Sequence, residues 1–188
     1  VYVIYAGYGE ADGGAANTIW PHQYYIYQYL NLDDTKIYRY ACSNEMDNYT
    51  NQHTGIGTFC HEFSHVLGLP DLYETTGYGK HKTVGQWSIL DYGPYNNDGN
   101  TPPNYSVYDK YYLGWLEPEA LAQTKQLEIP ADGTTTFMLA HNEKHVAEGA
   151  YRTDTVYYIE NRQQEGWDAY LPGHGMLIWR VIFNENDW

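Results

Sequence analysis

The segment Thr54–Leu67 specifies its own conformation more strongly than any other part of the sequence. Its apolar residues recur at steps of three and four, which places them on one face of an α-helix: Ile56, Phe59, Phe63, Val66 and Leu67. Gly68 then supplies a stop, and Pro70 prevents the helix from resuming. The pattern predicts an amphipathic helix that ends sharply at a turn.

The same helix carries a cluster of metal-binding residue types. His61 and His65 lie one helical turn apart, so their imidazoles project toward a common point that suits zinc. Glu62 can reach a metal-bound water without being a ligand itself. Catalytic zinc sites have three protein ligands, and Asp71 is the predicted third because Gly68 lets the chain turn back toward the histidines. Competing third ligands are Glu74, Asp91 and His81.

The spacing of this cluster is unusual for a random sequence. In a chain with eight histidines, H-E-x-x-H is expected by chance ~0.02 times. With zinc bound, the metal would lower the pKa of its water and polarise a scissile carbonyl, and Glu62 would act as the general base. The predicted reaction is hydrolysis of a peptide bond. The alternative is that the histidines are hydrogen-bonded in the interior or form a non-catalytic metal site.

Composition excludes several classes of partner. The formal net charge of −14 repels nucleic acid and anionic membrane surfaces, and the longest apolar runs are too short to span a bilayer. We therefore expect no nucleic acid partner and no membrane span. A structural calcium ion is a further expectation, although no D-x-D-x-D-G loop specifies it. Cys42 and Cys60 are compatible with one disulfide or with two buried thiols.

The remaining segments predict a mixed α+β chain. Strands are expected at the opening VYVIYAG and at KIYRYAC, with helices at Pro21–Leu30 and Ser106–Trp115, although the tyrosines of the first helix also suit a strand. Most of Tyr73–Pro103 is expected to be loop. The pattern becomes β-rich after Pro118, which divides the chain into residues 1–116, a catalytic core, and residues 117–188, a β-rich part of the same or an appended subdomain.

The segment HEFSHVLGLPD resembles the extended zinc signature of metzincin-type peptidases, H-E-x-x-H-x-x-G-x-x-[HD]. Ser88–Tyr92, SILDY, resembles the turn beneath the zinc in that clan, with Leu90 in place of methionine. The resemblance implies that Tyr92 binds zinc or donates a hydrogen bond to the oxyanion, with simple packing as the alternative. Over most of its length the chain is similar to the immune inhibitor A family of secreted bacterial metallopeptidases, through segments that include GTFCHEFSHVLGLPDLY, VGQWSILDYG and YYIENR.

This resemblance implies a zincin-like catalytic domain, in which a twisted mixed sheet packs against an active-site helix and a backing helix, followed by a C-terminal β-rich layer. It implies a secreted or cell-surface zinc endopeptidase that acts on protein or peptide substrates and is made with a prosegment and further domains. KIYRYACSNE is the expected edge strand above the cleft, which would bring Cys42 near Cys60. The remaining histidines are expected to be structural or surface residues, with His22 the least certain of them. The sequence opens without an initiator Met or signal peptide and is expected to be an excerpt of a longer polypeptide.

A different class of function remains open at this point. The metal could instead stabilise an acidic, aromatic-rich surface that binds glycans or proteins without cleaving them. A second alternative keeps the fold but has lost the activity, and the intact Glu62 argues against it.

Overall fold

The structure, a computed structural model, describes residues 1–75, 83–141 and 154–183. The chain divides into two compact units, Val1–Asn104 and Tyr105–Trp188. The described residues form a mixed α/β structure with two sheets and few helices. His81 lies outside the described residues, so its place among the competing ligands stays a prediction.

The first unit contains a sheet of four strands, β1 (Tyr2–Tyr8), β2 (His22–Leu32), β3 (Thr35–Asp47) and β4 (Gln52–His53). β1 runs parallel to β3, with Tyr2 opposite Ala41, whereas β2 runs antiparallel to β3, with His22 opposite Cys42. β4 pairs with the end of β3. Ala41 and Cys42 are buried where β3 passes between its two long neighbours.

The prediction of a helix at Pro21–Leu30 is wrong, because these residues precede and form most of β2. Tyrosine favours strands, and antiparallel pairing along β3 satisfies the backbone groups that a helix would have satisfied internally. Pro21 stands just before the strand, where its missing N–H removes no ladder hydrogen bond.

The prediction that KIYRYACSNE is an edge strand is also wrong. β3 extends over this segment and is hydrogen-bonded to β1 on one side and β2 on the other. Within the described part of the chain, β2 is an edge of the sheet. The disulfide reading is not realised either, because Cys42 and Cys60 are both free thiols.

The predicted amphipathic helix is confirmed as α1 (Ile56–Leu67). It packs against β3 and against the short 3₁₀ turn Gly93–Tyr95. The approach to that turn requires glycine at position 57, since a β-carbon there would overlap the Pro94 carbonyl oxygen. The Gly57 N–H donates to the Gly99 carbonyl at 2.9 Å, which fixes the first turn of α1 against the loop.

The second unit contains the helix α2 (Val107–Tyr112) and the strands β5 (Glu119–Ala120), β6 (Phe137–His141), β7 (Asp154–Arg162) and β8 (Gly175–Phe183). The short helix and the β-rich C-terminal segment are therefore confirmed. Ser106 and Asp109 begin α2 with a reciprocal capping box, in which each side chain accepts the backbone N–H of the other residue. β6, β7 and β8 form an antiparallel meander, with β5 added parallel to β6.

A buried ionic network lies within this second sheet. Arg162 on β7 donates from Nε to Asp168 Oδ2 at 2.7 Å and from its terminal nitrogen to Asp168 Oδ1. Glu160 accepts the Trp179 indole N–H at 2.6 Å and lies 3.5 Å from the Arg162 guanidinium. The three charged residues are at most 6% exposed, so their charges are compensated by one another rather than by water.

No helix among the described residues combines the length and the apolar character required to cross a membrane.

Candidate functional site

The last two turns of α1 and the bend that follows it position the candidate metal ligands. His61 and His65 lie on α1 with side chains 13% and 15% exposed. Gly68 adopts a left-handed conformation with φ 105°, and Leu69 N donates to Ser64 O while Gly68 N donates to His65 O. This pair of hydrogen bonds is a Schellman motif, which ends the helix and reverses the chain. Asp71 is thereby brought back beside the two imidazoles.

The three predicted ligands form a small triangle of donor atoms. His61 Nε2 and His65 Nε2 are 3.2 Å apart, and they lie 3.3 Å and 3.2 Å from Asp71 Oδ1. Ligand atoms held tetrahedrally at about 2.0–2.1 Å from zinc are separated by about 3.3–3.4 Å. The spacing of the donors therefore fits a zinc ion. Among the described residues, these three are the group of His, Cys, Asp and Glu side chains close enough to hold a metal.

The backbone fixes which nitrogen of each imidazole faces the triangle. His61 Nδ1 lies 2.8 Å from the Ile89 carbonyl, and His65 Nδ1 lies 2.7 Å from the Leu69 carbonyl. A carbonyl only accepts, so each Nδ1 carries the proton and each neutral ring presents a lone pair at Nε2. Carbonyl partners of this kind orient histidine ligands in metal sites.

The electrostatics of the triangle require a positive charge at its centre. Asp71 Oδ1 is buried and has no hydrogen-bond donor, so it and both Nε2 atoms present lone pairs to one another. Burial opposes ionisation of Asp71, but protonation of His61 and His65 at Nε2 would outweigh it through hydrogen bonds and positive charge, and so would lower the pKa of the carboxyl below its usual range. A cation or a shared proton between the three atoms relieves their repulsion.

Glu62 faces the same space from the next position on α1. Its side chain is 6% exposed and lines a cavity of about 470 Å³ that also contains the three donor residues. Burial raises the pKa of the Glu62 carboxyl, while the charges of His61 and His65 act in the opposite direction. The carboxylate thus lines the same cavity as the triangle without belonging to the donor group.

The turn Ser88–Tyr92 lies beneath the site. Ile89 supplies the carbonyl that orients His61, and Leu90, which stands in place of the methionine, is fully buried. Tyr92 lines the cavity with 59% of its surface exposed. Of the competing ligands, Asp91 lines the cavity but falls outside the donor group, and Glu74 is in neither set.

Tyr73 and His22 are among the cavity residues that were not predicted as part of the site. Tyr73 stacks on the His61 ring, with centroids 6.4 Å apart and planes inclined by 24°. His22, at the start of β2, also lines the cavity. Its Nδ1 lies 2.7 Å from Trp20 O and its Nε2 lies 2.8 Å from the Tyr40 hydroxyl, so both ring nitrogens have a hydrogen-bond partner within the protein.

Comparison with known proteins identifies the class to which this fold and site belong. Residues 1–116 match the family described as "Immune inhibitor A peptidase M6, catalytic domain". This range contains α1, the donor triangle, Glu62 and the turn beneath them. The chain therefore belongs to the immune inhibitor A family of M6 peptidases.

Individual relatives show the same affiliation at modest identity. The chain is 30% identical over 158 residues to "Pre-pro-metalloprotease PrtV" from two strains of Vibrio cholerae serotype O1, covering 76% of this chain. It is 27% identical over 121 residues to "Immune inhibitor A" of Bacillus thuringiensis subsp. alesti, covering 59% of this chain. The matched regions span 17% and 18% of the lengths of these relatives.

Proposed function

We propose that this protein is a zinc-dependent endopeptidase that hydrolyses peptide bonds of protein substrates. The observation that carries the proposal is the donor triangle of His61, His65 and Asp71, whose sides of 3.2–3.3 Å suit zinc. Both histidines are held by backbone carbonyls in the tautomer that presents Nε2. Membership of a peptidase family supports the same chemistry.

The residues of the site have different proposed roles in hydrolysis. His61, His65 and Asp71 would hold the metal, which when bound polarises the scissile carbonyl and acidifies water. Glu62 takes the proton from the attacking water and delivers it to the leaving amine. Its low exposure excludes bulk water from the carboxylate, and its raised pKa makes it a stronger base than an exposed glutamate.

Tyr92 is the proposed donor to the oxyanion that forms during attack. Its side chain lines the cavity and is well exposed, so its hydroxyl is available to a substrate. Tyr73 instead packs on His61, and burial together with the Asp71 carboxylate raises the pKa of its phenol. Its position suits support of the metal ligands rather than contact with the reacting carbonyl.

Two phenylalanine variants separate these tyrosine roles. Tyr92→Phe is expected to lower kcat by about 10²-fold with little change in KM, because a donor used only in the transition state is lost. Tyr73→Phe keeps the ring that stacks on His61 but loses the hydroxyl that hydrogen-bonds to Asp71, so it is expected to bind zinc less tightly while its kcat with zinc fully bound stays within about threefold of the parent protein. Steady-state kinetics on one peptide measures both. A large loss in Tyr73→Phe alone would assign the oxyanion contact to Tyr73.

We further propose a zincin-like arrangement with residues 1–116 as the catalytic core and residues 117–188 as the β-rich remainder. The cavity wall includes Pro21, His22 and Gln23 at the start of β2, beside the metal ligands of α1. An edge strand can hydrogen-bond an extended peptide. β2 would align the substrate so that its scissile bond reaches the donor triangle.

The wider setting follows from the same family. We propose that the protein acts outside the cell or at its surface and is made with a prosegment and further domains. The name "Pre-pro-metalloprotease" borne by the Vibrio relatives supports a precursor form. A structural calcium ion remains a proposal supported only by the excess of acidic residues.

A metal-dependence assay tests the proposed function. The zinc-loaded protein is expected to cleave an internally quenched peptide and unfolded casein, to lose this activity with a zinc chelator, and to regain it when zinc is added back. Because glycan- or protein-binding modules cleave nothing, absence of chelator-sensitive cleavage in the zinc-loaded protein would reject the peptidase proposal. The metal content of each sample is measured alongside activity.

A further inference from the structure

Four exposed tyrosines form a contiguous aromatic surface on the first sheet. This tyrosine platform consists of Tyr24, Tyr25 and Tyr27 on β2 and Tyr38 on β3, with exposed fractions between 44% and 82%. The ring centroids of Tyr27 and Tyr24, of Tyr24 and Tyr25, and of Tyr25 and Tyr38 are 6.0–6.4 Å apart. The hydroxyls of Tyr24 and Tyr27 share a hydrogen bond at 2.9 Å. Single exposed aromatic residues are ordinary, but a contiguous exposed patch indicates a binding surface.

The platform is ordered before any ligand binds. The Arg39 Cζ lies 5.0 Å from the ring centroid of Tyr25 and 5.6 Å from that of Tyr38, and the guanidinium donates to the Tyr25 hydroxyl at 3.1 Å. The same guanidinium donates to the Val66 carbonyl at 2.9 Å, in the last turn of α1. The platform is thereby fixed to the helix that carries the candidate metal ligands. Side chains ordered in advance lose less conformational entropy when a partner binds.

β2 connects the platform to the candidate active site. Pro21, His22 and Gln23 line the cavity, and the platform begins at the next residue, Tyr24. Tyr27 lies four residues beyond Gln23, which is about 13 Å along an extended strand. Because β2 is an edge of its sheet among the described residues, a peptide that hydrogen-bonds to it would run from the cavity across the platform.

The composition of β2 indicates which side chains such a peptide carries. His22–Leu32 contains no Asp, Glu, Lys or Arg, although the net charge of the whole chain is −14. Tyrosine rings pack against apolar and aromatic side chains while their hydroxyls stay in contact with water. The strand is therefore suited to apolar or aromatic side chains rather than to charged ones.

We propose that the tyrosine platform is a second substrate-binding surface, which selects extended peptides with apolar or aromatic residues several positions away from the scissile bond. The inference rests on the proposed peptidase function, because one peptide must occupy the cavity and the platform together. Contacts made by residues remote from the reacting bond add to the binding energy available to the enzyme. Extended apolar segments of unfolded proteins are thus better substrates than peptides that end at the cavity.

Quenched peptides that share one core sequence test this proposal in the zinc-loaded protein. The short peptide contains only the core, with the fluorophore and the quencher both inside it. Longer peptides add about five residues, enough to reach Tyr27, on one side of the core or the other. The added residues are either leucine and phenylalanine or, in a matched set, serine and glutamine. On one side the apolar extension is expected to raise kcat/KM roughly tenfold or more, and the polar extension to stay within about threefold of the short peptide.

The double variant Tyr24→Ser with Tyr27→Ser is expected to lose most of the advantage of the apolar extension, while cleavage of the short peptide stays within about threefold. Tyr27→Ser alone removes the most exposed ring and is expected to lose part of it. Tyr170→Ser is the matched control, because Tyr170 is exposed in the second unit, and it should keep the full advantage.

Three results would overturn the role of the platform and leave the peptidase proposal intact. The first is equal cleavage of the short and the apolar extended peptides by the parent protein. The second is an advantage of the apolar extension that survives in the double variant. The third is an equal loss of short-peptide and long-peptide cleavage in that variant, which would make the tyrosines structural. Failure of the parent protein to cleave any peptide would contradict both proposals.

Discussion

Replacing Glu62 with glutamine is expected to lower kcat by about 10²–10⁴-fold while the zinc content stays unchanged. Glutamine has nearly the same shape but cannot accept the proton of the attacking water, and Glu62 is not part of the donor triangle. Activity is measured on a quenched peptide, and zinc per protein is measured by atomic spectroscopy on the same samples.

Glu165→Gln is a suitable control, since Glu165 is exposed in the second unit and undergoes the same chemical change. It is expected to retain the activity of the parent protein. Near-normal turnover in Glu62→Gln would remove Glu62 from the role of general base. Loss of zinc from that variant would instead make Glu62 part of the metal site.

Removing the guanidinium group of Arg162 is expected to lower the free energy of unfolding more than any other substitution considered. Arg162→Met leaves Asp168 and Glu160 as buried charges without their shared cation, which costs about 3–5 kcal/mol. Urea unfolding followed by tryptophan fluorescence measures the change in the free energy of unfolding, since Trp179 donates to Glu160 within this network.

Two further variants show whether the cost comes from unpaired charge. The double variant Arg162→Met with Asp168→Leu is expected to be more stable than Arg162→Met alone, because one of the two carboxylates left without a cation is gone. Arg180→Met, on the exposed side of β8, is expected to stay within about 0.5 kcal/mol of the parent protein. Equal stability of Arg162→Met and Arg180→Met would show that the buried network contributes little.

The spacing of residues around α1 was sufficient to predict the donor triangle. Helical periodicity fixed the relative positions of His61 and His65, and Gly68 indicated the bend that returns Asp71, because only a residue tolerant of positive φ ends a helix in this way. The sequence did not reveal the carbonyl of Ile89 as a partner of His61, since that contact joins residues 28 positions apart. Tyr73 was missed for a related reason, because its stacking depends on the tertiary path of the loop.

The errors in the fold concern the first sheet. Pro21, expected at the opening turn, favoured a helix, but pairing with β3 determined the conformation, as often happens when a segment suits both states. The edge strand was assigned to the wrong segment because strand order depends on long-range pairing. The second sheet was easier to predict, since β7 and β8 are separated by strong turn residues and have clear β-rich sequences.

The carbonyl contact between Ile89 and His61 links the order of the loop to the orientation of a proposed metal ligand. The loop that contains Ile89 is also held by the hydrogen bond from Leu72 N to Leu90 O. Ordering this loop preorganises an imidazole lone pair, so any contact that steadies the loop would strengthen the binding of an ion by the three proposed ligands. By thermodynamic reciprocity a bound ion would steady the loop to the same extent, so metal binding would stabilise the folded form of this face of the molecule.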